Sequence, residues 1–392
     1  MVKGLTASLE KAELPSDVSE LLRKVYGETL NEVLRAMVKP PASYHVRANT
    51  LKISPGELAA RLKASGLKVS QHPVIEEALA IPVEGPNPVP DHPLKVVVDK
   101  FTAESVMVGA HVYAPGVSRC HGLRRGSTVS ILSPRGHLVG AGTAEMSESE
   151  ILTFRVGLAV KVTNPLYKAP SLRESVEYHE GLLYPQSLPS MATVRILNPQ
   201  PGETIVDLNC APGGKLSHIC QLTKGKAEIY GFDRSSRKIE ATRQTLARLG
   251  CGNVKLVEAD SRYVDKDFPE VKADRVLVDP PCSALGVTPK LYSGKTAEEI
   301  RALAQYQRQF LKAAAKIVKP GGVVVYSVCT ITLEECEETA KFALECGLKP
   351  EAPPVSLGTP GLRLFDGAEF FQRFHPHLHG FGYFIARFRR RD

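Results

Sequence analysis

The sequence predicts a doubly wound α/β sheet, preceded by a helical α+β segment and interrupted early by a small all-β unit. Three observations predict it. From about residue 175 onward, strand-like runs alternate with helical segments, the pattern that builds a parallel sheet covered by helices on both faces. Between 94 and 170 short glycine-punctuated β-like runs take over, with a single short helix expected near 102–109. Between these regimes and the N-terminal part, residues 82–93 (PVEGPNPVPDHP) hold five prolines and read as a linker.

The elements follow in order. Residues 16–38 place apolar side chains at helical spacing, with Ser16 as the expected cap, and Lys39-Pro40-Pro41 ends the pattern. Tyr44 to Lys52 alternates like a strand, Ser54-Pro55-Gly56-Glu57 opens a helix that should close near Gly66, and a strand–helix–strand sense continues to Ile81. KVVVD, STVSIL, HLVGAGTA and GLAVKV supply the β-rich unit, and Asn164 to Pro170 reads as its exit. The C-terminal strands are ETIVDL (203–208), EIYGFD (228–233), VKLVEAD (254–260), RVLVDP (275–280) and GVVVYSV (322–328). Helices are expected at 215–223, 236–249, 297–318 and 333–346. The predicted division is 1–92, 93–170 and 171–392.

Composition narrows the classes. At 392 residues, 43% hydrophobic and 23% charged, the chain is long enough for two or three domains and too apolar for wholesale disorder. No apolar run approaches the ~20 residues that span a bilayer, and MVKGLTASLEKAELP lacks an apolar leader, so a cytosolic protein free of membrane is expected. None of the eight cysteines forms a C-x-x-C pair, which argues against a zinc ribbon and for free thiols in a reducing compartment. Net charge is +8, and residues 93–173 alone carry ten Lys/Arg against five Asp/Glu. That concentration points to a polyanionic partner met by the all-β unit.

The chemistry gathers at strand ends. Asn209-Cys210-Ala211-Pro212-Gly213-Gly214-Lys215 follows the first strand of the sheet and opens a helix. Glycines there let the backbone approach a ligand, and helix-start N–H groups attract its anionic part. The phosphate-loop spacing is absent. Asp233 and Asp260 end the next two strands, each suited either to holding ribose hydroxyls or to capping a helix. Three polar strand ends on one edge fit a nucleoside with a charged tail, such as S-adenosylmethionine. The fourth strand ends in Asp279-Pro280-Pro281-Cys282 and the fifth in Tyr326-Ser327-Val328-Cys329-Thr330, so two thiols leave strand ends at the ligand edge. Carbon 5 of cytosine is a poor nucleophile. A thiolate adding at carbon 6 makes an enamine that can take a methyl group, an acid near ring nitrogen 3 neutralises the developing charge, and a second thiol can assist release.

These residues resemble the NSUN (Nop/Sun) RNA cytosine-5 methyltransferases. The likeness is carried by HVRANTLKISPGELAARL, LLYPQSLPSMATVRILNPQPGETIVDLNCAPGGK, FDRSSRK, VLVDPPCSALG, VVVYSVCTIT and FHPHLHGFGYFIARF, and covers 44–81 and 181–392. The inserted DKFTAESVMVGAHVYAPGV and GLAVKV look like a PUA domain, and this layout resembles the branch that methylates tRNA in its 3′ acceptor region. The resemblance implies a Rossmann-like class I methyltransferase domain with a seven-stranded, mostly parallel sheet, an inserted β-barrel PUA domain and an RRM-like N-terminal segment. It implies Cys329 as nucleophile, Cys282 as the thiol that helps release product, and Asp279 as the acid beside the base, with Lys215 counted among the catalytic groups. The stretch Asn209 to Lys215, with Asp233, Lys238, Asp260 and Asp279, is implied to hold S-adenosylmethionine. A tRNA partner and a monomeric state are expected, with no protein partner implied. The chain departs from the family at Asn209 and Leu216, in the family's usual CAAPGGKT, and at Val328, where threonine commonly stands; the glycines, acids and both thiols remain.

Other features have plainer alternatives. Arg119, Arg124, Arg125, Arg135 and Lys161, with Arg155, His121 and His137, form a basic set in the inserted unit that either contacts RNA phosphates or is a solvated face. His375, His377 and His379 alternate and would suit a metal on one strand face, but they match a Pro-His stretch of the family tail, and no metal is expected. Cys120, among basic residues, is expected to be somewhat acidic, while Cys251, Cys336 and Cys346 are expected to be structural. Three rivals stay open: the same chemistry on rRNA, methylation of a base nitrogen, which needs no thiol, and a catalytically silent tRNA-binding factor.

Overall fold

The computed structural model describes residues 9–391. Helix Ser16–Tyr26 is followed by a single 3-10 turn and helix Leu30–Met37, so the expected continuous 16–38 helix is broken. Gly27, at φ 51°, ends the first helix, and Pro15 rather than Ser16 precedes it. Both helices bury leucines and valines against Leu285, Ile300 and Ile331 of the C-terminal unit.

Strands β1 (Ser43–Ala48), β2 (Ser70–Gln71) and β3 (Ala78–Pro82) form an antiparallel sheet with helix Pro55–Ala64, whose start is closed by a Ser54–Glu57 capping box. The all-β unit comprises β4 (Lys95–Val98), β5 (Val112–Tyr113), β6 (Val117–Cys120), β7 (Thr128–Leu132), β8 (Leu138–Ala144) and β9 (Leu158–Pro165), in the order β5-β9-β8-β7-β4-β6. Val96, Val98, Val129, Ile131 and Val160 share one core there. It carries the expected helix at Lys100–Val106 and a second, Glu148–Phe154, which the sequence reading did not anticipate. After it the chain returns: β10 (Leu183–Pro185) pairs antiparallel with β1, although the sequence reading counted it with the C-terminal unit. The all-β unit is thus an insertion into the N-terminal sheet.

The C-terminal sheet comprises β11 (Thr204–Asp207), β12 (Glu228–Asp233), β13 (Val254–Glu258), β14 (Ala273–Val278), β15 (Val318–Val328), β16 (Leu348–Pro350), β17 (Thr359–Pro360), β18 (Gln372–Phe374) and β19 (Tyr383–Arg390). Its path is β13-β12-β11-β14-β15-β19-β18-β17, the first five strands parallel and β19 antiparallel to β15. The far edge of β19 is shared end to end by β16 and β18, with β17 outermost, so seven positions hold most of the nine strands. Alternate residues bury on opposite faces: Val206, Val276, Val278 and Val324 on one, Ile205, Leu277, Val323 and Val325 on the other. This double burial explains the continuous apolar runs in the sequence. Helix Ser236–Leu249 matches its expected bounds, started by the Ser235 side chain and ended by Gly250.

Candidate active site

The parallel strands deliver their carboxyl ends to one edge, and the loop after β11 is shaped there by local constraints. Gly213, at φ 97°, makes the turn into helix Gly214–Leu222. Leu216, the departure from the family pattern, is fully buried beneath Gly231, where a β-carbon would stand 2.6 Å from it. Arg47 of β1 braces the helix start, donating to the Gly214 carbonyl at 2.7 Å, Ser217 Oγ at 2.7 Å and Gln186 Oε1 at 2.5 Å.

A cavity of about 320 Å³ lies against this loop, lined by Asn209, Asp233, Asp260, Asp279, Tyr306 and both Cys282 and Cys329 among others. Asp233 accepts the Ser235 N–H at 3.0 Å and stands 3.9 Å from Lys238 Nζ. Asp260 takes the capping role, accepting Arg262 N, and its carboxyl also lines the cavity, with the Arg262 guanidinium at 2.9 Å holding it below the usual range. Asn209 Oδ1 is buried with no hydrogen-bond partner among the described residues, an acceptor left for a ligand donor. Ala211 lines this cavity too, and Cys210, Pro212, Gly214 and Lys215 line a smaller one of about 210 Å³ beside it. The lining carboxylates and the orphaned acceptor fit the hydroxyl and ammonium donors of S-adenosylmethionine.

At the end of β14, Asp279 is the hub of a network. Lys215 Nζ donates to its Oδ2 at 2.5 Å, while Ser327 Oγ at 2.7 Å and Tyr383 OH at 3.3 Å donate to Oδ1. Burial works to lower the Lys215 pKa, but Asp279 and Tyr383 outweigh it and hold the ammonium well above its usual range. Asp207, one strand away, is 1% exposed, and burial pushes its carboxyl up to about 7, with Asp279 adding to the rise.

The thiols of Cys282 and Cys329 face each other at 3.2 Å. With Cys282 as donor, the hydrogen bond lowers the Cys329 pKa, against burial and Asp279, and Lys215 helps. Cys282, as donor and buried, is pushed well up. Glu335 fixes both cysteine-bearing segments at once: it accepts Ser283 N at 2.8 Å, Ser283 Oγ at 2.5 Å, Thr330 Oγ1 at 3.1 Å and Gln307 Nε2 at 2.9 Å. A second cavity, about 330 Å³, opens on the other side of Cys329 and is lined by Tyr44, His45, Gln186, Thr288, Phe381 and Tyr383 among others. Cys329 lines both cavities.

Sequence reasoning named Asp279, Lys215, Cys282, Cys329 and the loop, and the structure brings them together. It missed Arg47, Asp207, Glu335, Ser327 and Tyr383. Only Glu335 left a local signal, the Thr332-x-x-Glu335 spacing of a capping box.

The basic set of the inserted unit divides. Arg119, Arg124 and Lys161 are exposed and make no ion pair among the described residues. Arg125 pairs with Glu150 at 2.9 Å. Arg135 is committed elsewhere, paired with Glu13 and lying 4.0 Å over the Tyr292 ring. Arg155 donates to the Val117 and Pro115 carbonyls, and His137 is buried against Ser133, so neither is a free phosphate contact. Cys120 is buried, which raises its pKa and reverses the acidity expected for it. His377 and His379 lie in the helical turn Pro376–His379 rather than on a strand face. His375 is engaged by Tyr26 at 3.0 Å and Thr359 at 2.8 Å.

Comparison with known proteins sets this geometry in context. The 16S rRNA methyltransferase RsmB/F family matches residues 194–389, the PUA domain 94–166, and a ferredoxin-like domain of RsmF/B-type methyltransferases 15–89. A tRNA (cytosine(72)-C(5))-methyltransferase of Pyrococcus horikoshii is 42% identical over 96% of this chain and 97% of its own. The human tRNA (cytosine(72)-C(5))-methyltransferase NSUN6 is 32% identical over 84% of this chain and 78% of its own. The crystal structure of NSun6 from Pyrococcus horikoshii with SFG, an analogue of S-adenosylmethionine, superposes with a TM-score of 0.90 over 98% of this chain and 100% of that one.

Proposed function

We propose, from the premise that this chain belongs to the RsmB/F (NSUN) family of RNA cytosine-5 methyltransferases, that it methylates carbon 5 of a cytosine in the 3′ acceptor region of tRNA. The relatives named for cytosine 72 make that the expected position. The observation that carries the reading is the pair of thiols 3.2 Å apart beside Asp279, with Cys329 lining both cavities and Cys282 the one shared with the cofactor-side acids.

S-adenosylmethionine supplies an electrophilic methyl group when bound. Asn209, Asp233, Lys238, Asp260 and the loop to Lys215 hold it in the cavity beside β11 to β14. The Cys329 thiolate forms a bond to carbon 6 of the cytosine, and the carbon 5–carbon 6 electron pair moves into the ring. The Lys215–Asp279 pair, joined at 2.5 Å, offers a proton at nitrogen 3 and meets the charge that develops there. Carbon 5 would take the methyl group as the donor's methyl–sulfur bond breaks, and nitrogen 3 returns its proton to the Lys215–Asp279 pair. The original carbon 5 proton then passes to a solvent base, and the electron pair it leaves restores the double bond and expels the Cys329 thiolate, with Cys282 placed to assist. A cytosine within a duplex cannot reach Cys329, so the target is unstacked into the cavity lined by Tyr44 and Phe381.

The three units are proposed as 1–92, 93–170 and 171–392, with β10 contributed back to the first. Arg119, Arg124 and Lys161 are proposed to meet tRNA phosphates. A monomeric, cytosolic enzyme is proposed, the free thiols suiting a reducing compartment; no described helix is long and apolar enough to cross a membrane.

The test incubates purified protein with tritiated S-adenosylmethionine and unmodified tRNA transcripts, then maps the product by bisulfite sequencing. 5-Methylcytidine at one acceptor position, abolished in Cys329→Ala with cofactor binding intact, is expected. Product on rRNA alone refutes the substrate, and an active Cys329→Ala refutes the covalent mechanism.

A further inference from the structure

The segment that follows Cys282 does not stay within the catalytic unit. Gly286 N donates to the Cys329 carbonyl at 3.0 Å and Gly286 O accepts Gly382 N at 2.7 Å, so the loop starts against the nucleophile. It then runs outward. Lys290 N donates to Met37 O at 2.7 Å, in the N-terminal helical pair. Leu291 is 1% exposed and its side chain belongs to the core of the inserted all-β unit, beside Val96 and Ile131. Leu291 N donates to Glu104 Oε1 at 2.8 Å, on helix Lys100–Val106 of the same unit. Lys100 Nζ stands 3.4 Å from the same Oε1, and both side chains are largely buried. The next residues are fixed as well: Tyr292 lies under Arg135, and Ser293 N donates to Glu13 O at 3.0 Å.

A unit whose only task were to hold RNA would need no side chain of the catalytic loop in its core. A loop without regular structure is placed only by its contacts, and a nucleophile's partner must be held within about an ångström of its working position. Here the end next to Cys282 is held within the catalytic unit, by Glu335 on Ser283 and by Cys329 and Gly382 on Gly286, while the contacts at the Leu291 end come from another unit. We propose that Glu104 is a positioning residue for the reaction: with the Leu291 plug, it sets the loop between Cys282 and Leu291 and so the register of the Cys282 thiol against Cys329. The inserted unit then acts on the chemical step as well as on RNA binding. This extends the reading of the two thiols given above and rests on it only for the methylation readout.

The experiment compares full-length wild type, Glu104→Ala and Glu104→Gln. It measures kcat at saturating tRNA, the tRNA dissociation constant by filter binding, thermal stability, and the pH midpoint of Cys329 alkylation by iodoacetamide in the absence of RNA. Glutamine still accepts from Leu291 N, whereas alanine does not. For Glu104→Ala, kcat is expected to fall on the order of tenfold or more, with the tRNA dissociation constant within about twofold of wild type and the alkylation midpoint displaced upward, since Cys329 loses its donor. Glu104→Gln is expected to keep most of kcat. A Glu104→Ala protein with wild-type kcat and midpoint, or one weakened only in tRNA binding, overturns the proposal. If the wild type makes no 5-methylcytidine, the functional reading fails, and the alkylation midpoint still decides the positioning role.

Discussion

Replacing Cys282 by alanine should make Cys329 a weaker acid, and the size of the change follows from the contact it loses. The Cys282 hydrogen bond is the largest influence on the Cys329 pKa and lowers it, as Lys215 does, while partial burial and Asp279 raise it. A hydrogen bond to a charged group contributes about 1.5–3 kcal/mol, and a thiol donor belongs at the lower end. At about 1.4 kcal/mol per unit this is roughly one pKa unit, or about a tenfold loss of thiolate at any pH below the midpoint. The assay is alkylation of the apo-protein by iodoacetamide across pH, with the Cys329 peptide quantified by mass spectrometry. In Cys282→Ala the midpoint should rise by about one unit, whatever the plateau rate does as access changes. Cys282→Ser restores a donor and should stay near wild type. A Cys282→Ala midpoint equal to or below that of wild type would refute the donor role assigned to Cys282.

Three more predictions test other parts of the site. Asp207 has a folded-state pKa of about 7 against the usual 3.8, so between those values the native state binds more protons than the unfolded one, and stability falls as pH rises; Asp207→Asn should therefore gain in melting temperature over wild type from pH 5 to pH 8, and an unchanged difference would rule out the buried charge. Arg47→Met removes the donor from Gly214 O, Ser217 and Gln186, which should cost about 2–4 kcal/mol in urea unfolding and weaken S-adenosylmethionine binding; a stable variant with normal cofactor affinity contradicts the bracing role. Arg124→Ala should lower the slope of log affinity for tRNA against log salt by about one, and an unchanged slope would make that arginine part of a solvated face.

The legible parts of this protein are those whose signals are local. The β11, β12, β14 and β15 runs declare themselves because both faces are buried, and each is closed by a polar or thiol residue as the backbone leaves the core. The helix 236–249 is bounded in the sequence because Ser235 and Gly250 do their capping within one turn. What was missed depends on partners far along the chain. The pairing of Leu183 with Ala48 has no signature in a three-residue strand. Arg135 and Arg124 look alike in sequence, yet Glu13, 122 residues away, takes the first and leaves the second exposed. Arg47, Glu335 and Tyr383 act by reaching other segments, and a residue's reach is set by tertiary packing.

On the proposed mechanism, the strand order itself accounts for why the acid and the nucleophile stand where they do. Carbon 6 and nitrogen 3 are opposite corners of the cytosine ring, so the groups that serve them must flank the base from two sides while carbon 5 remains open to the methyl donor. Asp279 and Cys329 follow β14 and β15, which are parallel neighbours with Val278 opposite Tyr326. Adjacent strands lie ~4.8 Å apart, and two short side chains leaving their ends can close on the edges of one ring. Non-adjacent strands would add a further strand spacing that no Asp or Cys side chain recovers. The same adjacency lets Ser327, two residues before Cys329, hold Asp279, so the nucleophile's own strand orients the acid. Lys215 approaches that carboxylate from the loop after β11, and Tyr383 from β19 beyond β15. The acid is therefore held by both of the elements that meet at the methyl transfer, and displacing either one changes the group that must answer charge at nitrogen 3.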